Sequence, residues 1–110
     1  MRTNNIYNLN NNLSSKSEIF DQLILNKNLI IERIISSGHI TPEGEWYDQE
    51  KDEWVLLLQG NAKIEFENAE QLEMKAGDYL LIPSHKKHRV SFTSSTPPCI
   101  WLAVHFRNKD

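Results

Sequence analysis

A carboxylate at Glu53 and an imidazole at His88 are the side chains best able to do chemistry in this 110-residue chain. Glu53 opens the run Glu53-Trp-Val-Leu-Leu-Leu-Gln-Gly60, and His88 closes the run Gly77-Asp-Tyr-Leu-Leu-Ile-Pro83-Ser-His-Lys-Lys-His88. Each run reads as a strand that stops at a turn. Both groups are good ligands for first-row divalent metals. They can also satisfy each other as a buried structural pair.

Strand alternation puts His88 on one face with Val90 and Phe92, which turns its imidazole inward, where each ring nitrogen needs a partner. Glu53 shares a face with Val55 and Leu57, and a carboxylate buried there alone is costly. A metal ion or His88 would relieve that cost. His105, two residues from Ala103 and four from Trp101, is either a second inward imidazole or a surface histidine. His85 follows Pro83 in a turn, as a rim residue placed for proton transfer at a mouth. The acids Glu43, Glu45, Asp48, Glu50, Asp52 and Glu53 do not have the spacing of a calcium loop and read as a solvated acidic stretch.

The elements that must hold these groups are strands. Ala62, Ile64 and Phe66 alternate with Lys63, Glu65 and Glu67, a half-buried strand with a charged outer face, and the turn Gln59-Gly60-Asn61 predicts a hairpin with the strand Trp54 to Leu58. Trp54, Leu56 and Leu58 form a second apolar face, which a packed sheet or another subunit would cover. Leu29 to Ser37 is β-branched, and Ile19 to Leu25 is its expected strand partner across Asn26-Lys27-Asn28, the alternative being a short helix opened by Ser17-Glu18. Gly38 to Asp52 reads as a long connection with a short extended piece at Glu45 to Gln49. Gly77 to Pro83, His88 to Thr93 and Ile100 to Phe106 complete about eight short strands with no convincing helix, the pattern of an all-β sandwich or small barrel.

Length and composition predict one barrel domain over residues 17–110, preceded by a flexible Asn-rich segment over 1–16. A formal charge of -3, with one basic cluster at Lys86, Lys87 and Arg89 broken by His88, carries no footprint for nucleic acid. No apolar run is long enough to span a membrane as a helix. The start, Met-Arg-Thr-Asn-Asn, lacks a signal core, and the lone Cys99 fits a reducing compartment, so the expected location is cytoplasmic. Cys99, beside Pro98 at the start of an apolar strand, is expected to pack rather than react.

From roughly Ile30 to Phe106 the chain resembles the cupins, small jelly-roll barrels of the double-stranded β-helix type. Glu53 and Gly60 match the end of the first cupin motif; Gly77, Pro83 and His88 match the second. The two histidines of the first motif are missing. On one spacing of that motif their places fall at Tyr47 and Gln49, on the other at Trp46 and Asp48. Segments Trp-Tyr-Asp-Gln, Asp-Glu-Trp-Val and Ile-Pro-Ser-His-Lys-Lys-His also resemble a recurrent subgroup of small cupins to which no settled reaction attaches.

The resemblance implies a cupin-type jelly-roll barrel, expected to pair as a homodimer, with a cavity that takes a small-molecule ligand. It also implies a divalent transition metal (zinc, iron, nickel or manganese), held by Glu53 and His88 with Gln49 or Asp48 and with His105 as a further imidazole. Tyr47 or His85 would move protons in an oxygenase, isomerase or lyase reaction. The alternative is a metal-free, non-catalytic barrel that binds a small ligand, with Glu53 and His88 as a ligand-binding or structural pair.

Overall fold

Alternating side chains set the chain into eight strands: β1 Ile19–Leu25, β2 Leu29–Ser36, β3 Asp52–Gln59, β4 Asn61–Phe66, β5 Gln71–Lys75, β6 Tyr79–Ile82, β7 His88–Thr93 and β8 Cys99–Phe106. These come from a computed structural model that describes residues 1–9 and 16–107. The strands form a five-stranded sheet, β1-β2-β8-β3-β6, and a three-stranded sheet, β5-β4-β7, with every pairing antiparallel. Val55, Leu57, Ile82 and Trp101 from the first sheet meet Ala62, Ile64, Phe66 and Met74 from the second in one core. Burying a side chain of this size stabilises the fold by about 1.5–3 kcal/mol. Cys99 is fully buried in the same core, the packing role its apolar neighbours predict.

The β1–β2 hairpin forms as the β-branched runs predict. Asn26 closes its turn, since its side-chain oxygen accepts hydrogen bonds from the Asn28 and Leu29 amides at 3.0 Å each. β5, for which the sequence analysis gives no strand, pairs with β4.

Two expectations fail, each at one position of the backbone. The hairpin between β3 and β4 does not form: β3 pairs with β6 and β8, whereas β4 pairs with β5 and β7. Gly60, at φ +94, carries the chain from one sheet to the other. A Cβ there would lie 2.8 Å from the Ser94 hydroxyl and 2.9 Å from the Cys99 sulfur, so the turn depends on glycine. The second failure is at Phe92. Lys63 pairs with Phe92 and Ile64 with Val90, so Ser91 is an extra residue in β7. This bulge breaks the alternation and turns Phe92 outward, 45% exposed, instead of inward beside His88.

Outside the five-stranded sheet, the Arg33 guanidinium donates to the carbonyls of Ile6 and Asn8 at 3.1 and 2.6 Å and pairs with Asp21 at 2.6 Å. Residues 10–15 of the segment expected to be flexible lie outside the described residues. Among the described residues no helix is long and apolar enough to cross a membrane.

Candidate functional site

The strip that precedes β3 closes one side of the barrel by adding to the edge of β7. The Tyr47 amide donates to the His88 carbonyl at 2.8 Å, the His88 amide donates to the Tyr47 carbonyl at 3.2 Å, and the Thr41 amide donates to the Val90 carbonyl at 2.9 Å. Alternation along this strip sends Tyr47 and Gln49 inward, where both line a cavity of about 70 Å³ between the two sheets. Asp48 points the other way and pairs with His85 Nδ1 at 2.7 Å on the surface. The spacing that places Tyr47 and Gln49 at the two histidine positions is therefore the one the backbone adopts. Asp48 and His85 do not line the cavity.

Glu53, His88 and His105 do line it. Glu53 lies directly opposite His105 in the β3–β8 register, and His88 approaches from the facing sheet. The Glu53 carboxylate is 3.5 Å from His88 Nε2 and 4.0 Å from His105 Nε2. Both gaps exceed the usual length of a charge-assisted hydrogen bond, about 2.7–2.9 Å. Glu53 is only 8% exposed, so a buried carboxylate faces two imidazole edges at long range. His88 Nδ1 lies 2.9 Å from the Lys86 carbonyl. A carbonyl can only accept, so Nδ1 carries the proton and Nε2 is the atom turned to Glu53.

His105 finds its close partner elsewhere, in Glu32 on β2, with Nε2 3.1 Å from a carboxylate oxygen. Sequence reasoning missed Glu32. Its signal was there: it is the only acid in the β-branched run Leu29 to Ser37 and shares inward parity with Ile30 and Ile34. Glu18, a second missed wall residue, accepts a hydrogen bond from the buried Ser36 hydroxyl at 2.8 Å.

The wall thus carries the carboxylates Glu18, Glu32 and Glu53 and two imidazoles. Burial lowers the His88 pKa, but the Glu53 carboxylate and the Lys86 carbonyl outweigh it, so the net shift is upward. His105 is also raised, first by its bond to Glu32 and then by the Glu53 charge, against burial. The Tyr47 phenol is raised by burial and by the charges of Glu18, Glu53 and Glu32, which outweigh a hydrogen bond to Thr41. It stays protonated and acts as a donor. Its ring stacks on the His88 ring with centroids 5.6 Å apart. Among the described residues no three His, Cys, Asp or Glu groups stand close enough together to hold a metal ion.

A family model described as a cupin domain matches residues 35–105. The chain belongs to the cupin family. A solved structure of a proposed mannose-6-phosphate isomerase from Ralstonia eutropha JMP134 is similar at 40% identity and a TM-score of 0.90, over 98% of this chain and 100% of that one. An RmlC-like cupin with a double-stranded β-helix fold from Methanocaldococcus jannaschii matches at 16% identity and a TM-score of 0.69, over 86% and 84% of the two chains. A cobalt(II) form of HppE in complex with Tris buffer matches at 16% identity and a TM-score of 0.68, over 81% of this chain and 53% of that one. No curated protein is significantly similar to the chain. The all-β jelly-roll expectation is met by these matches and by the strand order.

Proposed function

We propose that the barrel cavity is the functional site, that Glu53 and His88 recruit a divalent transition metal there, and that the protein acts on a small polar molecule in an isomerase, lyase or oxygenase type of reaction. The observation that carries this reading is the spacing of Glu53 and His88. Their 3.5 Å gap is long for a hydrogen bond, yet two ligands of one first-row ion stand about 3–3.5 Å apart when each bond is about 2.0–2.2 Å. The Lys86 carbonyl fixes the tautomer that leaves His88 Nε2 free to ligate, as an outer-shell partner does.

Gln49 supplies a neutral oxygen on the same wall, and His105 becomes a third strong ligand once it leaves Glu32. Zinc, iron, nickel and manganese all suit such mixed nitrogen and oxygen donors. A bound ion would polarise a carbonyl or hydroxyl of the substrate. Tyr47 is placed to hold or donate a proton inside the cavity; His85 can exchange protons with Asp48 only at the rim.

Plasma mass spectrometry on untagged, chelator-free protein tests the proposal. Near-stoichiometric metal that is lost in folded His88→Ala is the expected result. Metal far below stoichiometry and unrecovered on reconstitution would favour the second reading, a metal-free ligand-binding barrel. That reading draws on Tyr47 and Gln49 at the two histidine positions and on the lack of three converging ligands among the described residues.

The same proposal includes a homodimer in the cytoplasm. Trp54 and Leu56 lie opposite Leu81 and Tyr79 on the outer face of β3 and β6, and Tyr79 and Leu81 are 68% and 52% exposed. A contiguous outward apolar strip of this kind favours a partner surface. The fully buried single thiol is compatible with a reducing compartment.

A further inference from the structure

The cavity wall has an unusual charge balance. Carboxylates come from three successive strand regions, Glu18 beside β1, Glu32 on β2 and Glu53 on β3, while among the described residues no lysine or arginine lines the space. Lys51 lies in an adjoining surface hollow that shares Glu32, Gln49 and His105 with the cavity. Glu18 and Glu32 have short protein partners in Ser36 and His105, but Glu53 does not. The Glu53 side chain lines the cavity at 11% exposure, and its imidazole neighbours His88 and His105 stand off at 3.5 and 4.0 Å.

The rest of the wall is aromatic and aliphatic. Phe20, Tyr47 and Trp101 present three rings to the same space, Phe20 from an exposed position on β1 and Trp101 from the core. Ring faces attract cations, most strongly where water is excluded. At about 70 Å³ the cavity is well above the roughly 10–15 Å³ that a single water needs. A phosphate group would meet three carboxylates against two imidazoles, with no guanidinium or ammonium among the described wall residues to hold it, although its usual recognition elements are arginine and lysine.

We propose that the cavity selects a small organic cation, an amine or quaternary ammonium compound, with Glu53 facing the charge and Phe20, Tyr47 and Trp101 enclosing its methyl or methylene groups. It rests on the reading of the cavity as the functional site, and because a metal ion there would take the same Glu53 carboxylate, one equivalent of zinc should weaken choline binding. It separates the chain from sugar-phosphate chemistry, even though its 40% identical structural relative is a proposed mannose-6-phosphate isomerase.

The test is isothermal titration calorimetry on the full chain, metal-free and again with one equivalent of zinc. The probes are choline, its uncharged isostere 3,3-dimethylbutan-1-ol, and mannose 6-phosphate. Choline should bind metal-free protein at least tenfold more tightly than the isostere, and mannose 6-phosphate should give no heat. Glu53→Gln should remove the preference for choline. Glu18→Gln, which keeps an oxygen for Ser36, should weaken it severalfold and covers the case in which the first variant fails to fold. Equal binding of choline and the isostere, or binding of mannose 6-phosphate to metal-free protein, overturns the proposal. If zinc binds and choline does not, the cation proposal falls and the metal site stands. If neither zinc nor any probe gives heat, both fall.

Discussion

Glu53 and His88 belong to opposite sheets, and their side chains meet across the barrel with Oε1 3.5 Å from Nε2. The pair therefore links β3 to β7 through the cavity, without any strand pairing between them. Removing the imidazole leaves a buried carboxylate facing a void. His88→Ala should lower the stability of metal-free protein by about 1–3 kcal/mol, the range for a buried polar group that loses its partner. Urea unfolding measures this, and a loss below about 0.5 kcal/mol would mean that water already satisfies Glu53.

The two cavity histidines make stability depend on pH. Both pKa values are raised above the ordinary 6.5 in the folded state. Their contribution is complete below the unfolded value and is lost as pH rises through the folded values. Metal-free protein should melt at a higher temperature below the ordinary histidine value of about 6.5 than at a pH above both folded values, where the imidazoles have lost their protons. His105→Asn should flatten that profile. A melting temperature that climbs across the same window would contradict the role given to Glu53 and Glu32.

Gly60→Ala puts a methyl group against Ser94 and Cys99 at a positive φ. The expected loss is about 1–3 kcal/mol from the strained backbone alone, and more from the crowding. Thermal unfolding checks it, with Gly44→Ala as the contrast, since a Cβ there meets nothing within 4 Å.

His85 sits at φ +62 on the surface, a conformation that glycine adopts freely. His85→Gly removes the exposed hydrogen bond with Asp48 and relieves the backbone together. Stability should change by less than about 1 kcal/mol, because exposed pairs contribute little. Metal content and ligand affinity should not change, and a loss of either would bring His85 into the working site.

Leu81→Asp places a charge in the outward strip beside Trp54. In the homodimer reading this variant becomes monomeric by light scattering while its circular dichroism is unchanged. A wild type that is itself monomeric at micromolar concentration would remove the reading.

The strands were legible because alternation is a local signal, and most of β1 to β4 and β6 to β8 could be read from it. Sheet membership was not. Nothing in the short turn at Gly60 tells a hairpin from a crossing between sheets; that depends on Ser94 and Cys99, far along the chain. Glu53, His88 and the inward alternation of Tyr47 and Gln49 followed from motif spacing. The pairing of His105 with Glu32 did not, because it requires β2 and β8 to be neighbours. Phe92 was misplaced because one extra residue in a strand reverses its parity without a mark in composition.

That extra residue separates two kinds of sequence change. With Ser91 removed, Val90 would still face Ile64 and Phe92 would still face Lys63, now in an unbroken ladder. The gene should tolerate deletion of this codon better than insertion of a neighbouring one. A further residue between His88 and Val90 would rotate the imidazole out of the barrel and leave Glu53 facing an empty wall.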